Sequence, residues 1–315
     1  YPLLVVGALG IGAGNGTNLA ARYAAADLAA PDRRARAIGL LVWAGSIGSV
    51  LGPTVALGPT GWAAERVGLE RLSGPYVMGV LVFALSTVTV HRLLRPDPLL
   101  AASAGAPPTA GVEPARPRLA DAFTRIASVR IAAMAVGAMA LGQALMVAVM
   151  TVTPLHMDDG GHETQVIGLV ISLHIVGMYV FAAVVGWMVD RLPTEVMVAA
   201  AGLVLFGGSE LASHTDAEDR VGVFVGLFAI GLGWSFAMIA GSALLTSAFP
   251  AHERAAVQGA ADFTMVGSGA VAGLASGVVV EASSFHSLSH WAGVAALALV
   301  AAGLHPVVTR VGVRR

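Results

Sequence analysis

The chain has 315 residues, 56% of them hydrophobic and only 12% charged, with a mean hydropathy of +0.78 and a net charge of −1. A soluble domain carries about 25% charged residues; half that supply cannot cover a water-facing surface, so the apolar excess faces lipid, and no basic stripe is present for nucleic acid. Cysteine is absent and all 18 basic residues are arginine, which excludes disulfides, thiolate metal sites, cysteine nucleophiles and Schiff-base lysines.

In chain order, nine segments are long and apolar enough to cross ~30 Å of hydrocarbon. They run over 2–28, 37–63, 75–94, 128–154, 165–189, 194–213, 220–248, 256–281 and 288–308. They lack the period-2 alternation of barrel strands, so the sequence predicts an all-α, polytopic helical bundle. Residues 95–127 interrupt the series. With Pro96, Pro98, Pro107, Pro108, Pro114 and Pro117 they read as a linker, closing on a short amphipathic helix marked by Leu119, Phe123 and Ile126. The expected organisation is three spans in 1–94, the linker, and six spans in 128–315. The chain opens at Tyr1 already within a span, and no signal peptide is visible, so spans upstream of Tyr1 are expected.

Arginine placement orients the bundle. Arg33, Arg34, Arg36, Arg92, Arg95, Arg116, Arg118, Arg125, Arg130, Arg191, Arg254, Arg310, Arg314 and Arg315 share one set of loops. Only Arg66, Arg71 and Arg220 fall in the other, a 14-to-3 division. The rule that positive loops stay inside puts the first set, and the C-terminus, in the cytoplasm of a multi-pass plasma-membrane protein.

The two parts repeat one another. Gly10-Ile11-Gly12 and Gly231-Leu232-Gly233 each lead to a Pro-charged turn, Pro31-Asp32-Arg33-Arg34 and Pro250-Ala251-His252-Glu253-Arg254. Each turn feeds a glycine-rich span. The series Gly39-x8-Gly48-x3-Gly52-Pro53 resembles the antiporter motif in the fifth span of the major facilitator superfamily, with Ala56 and Leu57 where that motif continues in glycines. Gly186-x3-Asp190-Arg191 resembles that family's loop motif, with Pro193 in place of a glycine, and Gly10-x-Gly12 resembles its fourth-span motif, with Val6 where the motif has arginine. The resemblance implies a major facilitator-like fold in which the nine spans correspond to family spans four to twelve. It also implies a secondary transporter that alternates access around a midplane site, as a monomer in the lipid bilayer with a small-molecule substrate and protons as partners.

Several residues could carry that work. Asn15, Asn18 and Arg22 share one helical face of the first span and are expected to line the path. Arg22 then attracts an anionic group or pairs with a carboxylate, or else it snorkels to the interface. Gln143 would face the cavity if the resemblance holds. His174 could join a proton path, or serve as a hydrogen-bonded packing residue. Trp234 could stack on a flat apolar substrate, or pack within the bundle. Gly48, Gly52 and Pro53 lie near one face and read as a close helix contact that slides or bends; Gly269, Gly273 and Gly277 form a second such seam. Asp190 and Arg191 read as gate elements. Asp262, an acid inside an apolar span, reads as a coupling residue, or as the partner of a loop arginine. His156, His162, His214, His286 and His290 fall in external regions, and no flanking acid completes a metal site. Gly-x-Ser-x-Gly, a P-loop and His-Glu-x-x-His are all absent, which points away from an enzyme, a cofactor and an ATP-driven pump. The expected activity is proton-coupled export of a small organic or drug-like compound. Uptake of an organic solute and a non-transporting receptor or assembly role are the alternatives.

Overall fold

The computed structural model describes residues 2–55, 59–98, 101, 119–216 and 218–312. Among these the chain is helical, with no strand. The helices are α1 (Pro2–Leu28), α2 (Arg34–Val55), α3 (Gly61–Arg66), α4 (Gly74–Leu93), α5 (Leu119–Ser128), α6 (Arg130–Asp159), α7 (Thr164–Tyr179), α8 (Ala182–Val189), α9 (Thr194–Ser213), α10 (Arg220–Ala248), α11 (Ala251–Ala282) and α12 (Phe285–Gly312). Most of the expected linker, 99–100 and 102–118, lies outside the described residues, as do Ala56 and Leu57.

By length and hydropathy together, seven helical stretches among the described residues are fit to cross a membrane: α4, α6, Gln165–Val189 (α7 with α8), α9, α10, α11 and α12. α1 and α2, at 27 and 22 residues, are long enough at 1.5 Å per residue. The expected nine is therefore an approximate count. Two boundaries differ from those expected. α11 begins at Ala251 rather than 256, because Pro250 sets the extended residue before it and the charge of Arg254 is buried against a partner. α6 continues through Pro154 to Asp159, past the point where hydropathy alone ends the span.

The core lies among α6, α9, α10, α11 and α12. α10 is the central helix, with 72% of its apolar window buried, whereas the same window of α4 has none. Such close packing in lipid depends on small residues, since lipid tails offer no hydrophobic drive between helices. A Cβ at Gly142 would stand 2.8 Å from the Ala237 Cβ, and one at Gly208 would stand 2.8 Å from the Gly226 carbonyl oxygen. The expected amphipathic helix is α5. Its Ile126 is buried, and its Phe123 meets Phe263 of α11 edge-on at 6.4 Å.

α1 and α2 meet the rest of the bundle chiefly at one end, where α1 finishes and α2 starts. There Arg22, Tyr23, Ala26, Ala35 and Ile38 are buried, while most of α1 before Leu19 is exposed. The tightest crossing is α2 on α8. A Cβ at Gly39 would run into the Ala182 carbonyl oxygen, and one at Gly186 into that of Ala35. Among the described residues, a Cβ on Gly48 meets nothing within 4 Å. Nine residues separate Gly39 from Gly48, which at 100° per residue puts them on opposite faces of α2, so only one can touch α8. In the second seam Gly269 and Gly273 pack on α6, at Gln143 and Val147, while Gly277 faces open space.

Candidate functional site

Between α1, α2, α6, α7, α10 and α11 lies a cavity of ≈ 200 Å³. Asn15, Asn18, Arg22, Gln143 and Trp234 all line it, together with Tyr179. Met146, Met178, Met238 and Met265 complete much of its apolar wall. Asn15 and Asn18 are exposed to it and Gln143 is half-buried. The Trp234 indole N–H donates to Gln143 Oε1 at 2.6 Å, and Tyr179 meets the Trp234 ring edge-on at 5.9 Å.

The floor of the cavity is charged. Arg22, 2% exposed, does not reach for the interface. It pairs with Asp262 of α11, donates through Nε to Ser242 Oγ (3.0 Å) and through Nη1 to the Leu19 carbonyl (2.8 Å), and reaches the Tyr23 hydroxyl (3.2 Å). A buried guanidinium is tolerated only when its charge is matched and its donors are used, and this one meets both conditions. Asp262 therefore partners an arginine within a span, not one in a loop.

The loop arginine has its own acid: Arg254 Nη1 lies 2.9 Å from Asp27 Oδ1, both largely buried. Two ion pairs of opposite polarity thus join α1 to α11. A third contact joins α8 to α2. Asp190 accepts the backbone N–H groups of Ala35 (2.9 Å) and Arg36 (2.8 Å), capping the first turn of a helix that is not its own. Burial pushes the Asp190 carboxyl above its ordinary range, against the pull of those two donors. Arg191 is exposed and lies over the Trp187 ring at 4.1 Å.

One expectation needs correction: His174 is not part of the wall of this cavity, and is buried between α7 and α10 with its Nδ1 2.8 Å from the Leu227 carbonyl oxygen. Two of the external histidines meet an acid: Glu210 lies 2.9 Å from His290, distant in sequence, and 3.6 Å from His214. Ser242, Tyr23, Asp27 and the four methionines were not singled out from sequence. Only the charge of Asp27 and Arg254 near span ends could have signalled them.

Comparison with known proteins decides the family. The sequence pattern described as Major Facilitator Superfamily matches residues 1–274 and, in an overlapping stretch, 134–311. The chain belongs to the major facilitator superfamily. Among its relatives in that superfamily, the uncharacterized MFS-type transporter YdeG of Bacillus subtilis (strain 168) is 35% identical over 298 residues, covering 95% of this chain and 69% of that protein. YddS of the same organism is 34% identical over 299 residues, covering 95% and 68%. The riboflavin transporter RfnT of Brucella anthropi is 29% identical over 294 residues, covering 92% and 67%. A crystal structure of a variant of the E. coli fucose:proton symporter FucP shares the fold, with a TM-score of 0.64 at 12% identity, over 91% of this chain and 72% of that one. Membership makes this facilitator-superfamily chain a multi-pass membrane transporter, with the bilayer and a small-molecule substrate as its partners.

Proposed function

We propose that the protein exports a small organic compound across the plasma membrane in exchange for protons. It does so as a monomer, with Asp262 as the proton site and the Arg22–Asp262 pair as the link between proton and gate. The observation that carries this reading is the placement of that pair, at the bottom of the cavity and across the junction between α1 and α11. Residues 1–94 and 128–315 form the two moving parts, and 95–127 is the linker between them. With the arginine-rich loops and C-terminus in the cytoplasm, the closed end is cytoplasmic and the cavity faces outward. Three cross-contacts hold that end shut: Arg22–Asp262, Asp27–Arg254 and Asp190 on α2.

The cycle follows from charge. A proton arriving from outside neutralises Asp262, and the pair with Arg22 loses its Coulombic half. The remaining contacts no longer offset the cost of a buried, unmatched guanidinium, so the cytoplasmic end opens and hydrates it. Substrate enters from the cytoplasm, the proton leaves there, and re-formation of the pair closes the end again with substrate facing out. Gly48, Gly52 and Pro53 of α2 are available to bend or slide in that movement. Because Asp262 and the local acceptors occupy the Arg22 donors, the cavity suits an uncharged substrate better than an anion. RfnT's name speaks of riboflavin, an uncharged ring compound of that kind.

Flux in proteoliposomes with an imposed pH gradient tests the reading. Export by exchange requires that acid outside the vesicle face corresponding to the cell exterior drives substrate toward it. Drive in the same direction as the proton would make the protein an uptake symporter, and binding without flux would make it a receptor.

A further inference from the structure

The carboxamide of Gln143 is held in one orientation. An indole N–H can only donate, so the atom 2.6 Å from Trp234 Nε1 must be the amide oxygen, and the two N–H donors of Nε2 point elsewhere. Among the described residues Nε2 has no hydrogen-bond partner, although the side chain is half-buried at the cavity wall. Room for this arrangement depends on α11. A Cβ at Gly269 would stand 2.9 Å from Gln143 Cγ and 3.1 Å from its Nε2, close enough to displace the carboxamide from Trp234. The neighbouring wall is aromatic and soft: Tyr179 and Trp234 meet edge to face, with Met178 and Met238 beside them. Methionine sulfur and aromatic faces favour a polarisable ring. An unpaired amide donor beside such a wall favours an acceptor in the plane of that ring.

We propose that Gln143, locked by Trp234 and given room by Gly269, is a specificity-determining donor that selects an uncharged, flat heteroaromatic ring through a carbonyl oxygen or ring nitrogen accepting from its Nε2. This rests on the cavity being the substrate site. It adds the chemical class of the substrate, a residue that reads it, and two positioning residues.

Riboflavin is the probe, since its ring carries both kinds of acceptor and its own fluorescence reports binding to the detergent-purified protein. The wild type binds it. Gln143→Glu keeps an acceptor for the Trp234 N–H but removes both donors, and weakens binding about tenfold, the equivalent of ~1.4 kcal/mol. Gly269→Ala, which leaves the donors in place but moves them, weakens it in the same direction. Neither variant shifts the melting temperature by more than about 2 °C. Should Gln143→Glu not fold, Gln143→Met, similar in length and without donors, carries the same expectation. Failure of the wild type to bind riboflavin overturns the proposal. So does wild-type affinity in the donor-free variant, or a loss of affinity that tracks a loss of melting temperature. Flux is read separately: binding that depends on Gln143 without any transport would defeat the transport reading and leave this one standing, and flux of another compound without riboflavin binding would do the reverse.

Discussion

Arg22 and Asp262 are 240 positions apart and no local pattern joins them, yet each was visible alone. A charge at depth in an apolar segment is costly enough to be conspicuous, and the spacing of Asn15, Asn18 and Arg22 fixed a common face. What sequence could not supply was the partner, because helix periodicity says which face a residue occupies and not which helix opposes it. For the same reason Gln143 and Trp234 were separate candidates, and the hydrogen bond between them emerges only from the fold. His174 shows the converse: a mid-span histidine looks chemical in sequence, but the fold buries it against the Leu227 carbonyl, away from the cavity lining. The ion pair makes two predictions. Arg22→Ala leaves a buried carboxylate without its charge partner and should cost about 3–5 kcal/mol. The double variant Arg22→Ala/Asp262→Ala should recover part of that loss, read as a double-mutant cycle of unfolding in detergent. Asp262→Asn should keep the fold and lose proton coupling, so that substrate flux no longer responds to a pH gradient. Unchanged coupling would remove Asp262 from the mechanism.

At the level of helices, the motif spacing was legible, and among the described residues the α2–α8 contact falls on Gly39 and not on Gly48. Gly39 and Gly186 carry the α2–α8 crossing, and both belong to the patterns read from sequence. Gly48 was favoured because of its neighbours Gly52 and Pro53, although helix geometry turns it half a revolution from Gly39. Asp190 stood out in sequence through its motif spacing, but not as the cap of another helix, since a cap normally precedes its own helix in sequence. Gly39→Val should drive a side chain into the Ala182 carbonyl and hold the cytoplasmic end apart. Because the chain has no cysteine, the check is direct. In an Ala35→Cys background, where position 35 is buried, maleimide should label faster when Gly39→Val is present. Asp190→Ala should act in the same direction and more weakly, at about 1 kcal/mol, the typical worth of a cap. Labelling no faster than in the parent would mean that this crossing does not control access.

Across the whole molecule, bilayer physics made the class legible. Long apolar stretches and sorted arginines require spanning helices, and the repeated glycine and Pro-charged patterns pointed to a superfamily that the comparisons then established. Boundaries were less legible where polar first turns are buried against the other part, as at Arg254. The account depends on the cytoplasmic end being a gate and not a fixed junction. Spin labels at Leu28 and His252, both exposed and placed on α1 and α11 beside the two ion pairs, measure this directly by pulsed electron resonance. Reconstituted protein should show two distances, with the longer population rising at acid pH and dominating in Asp262→Asn; a single distance, the same at every pH and in that variant, would contradict the account.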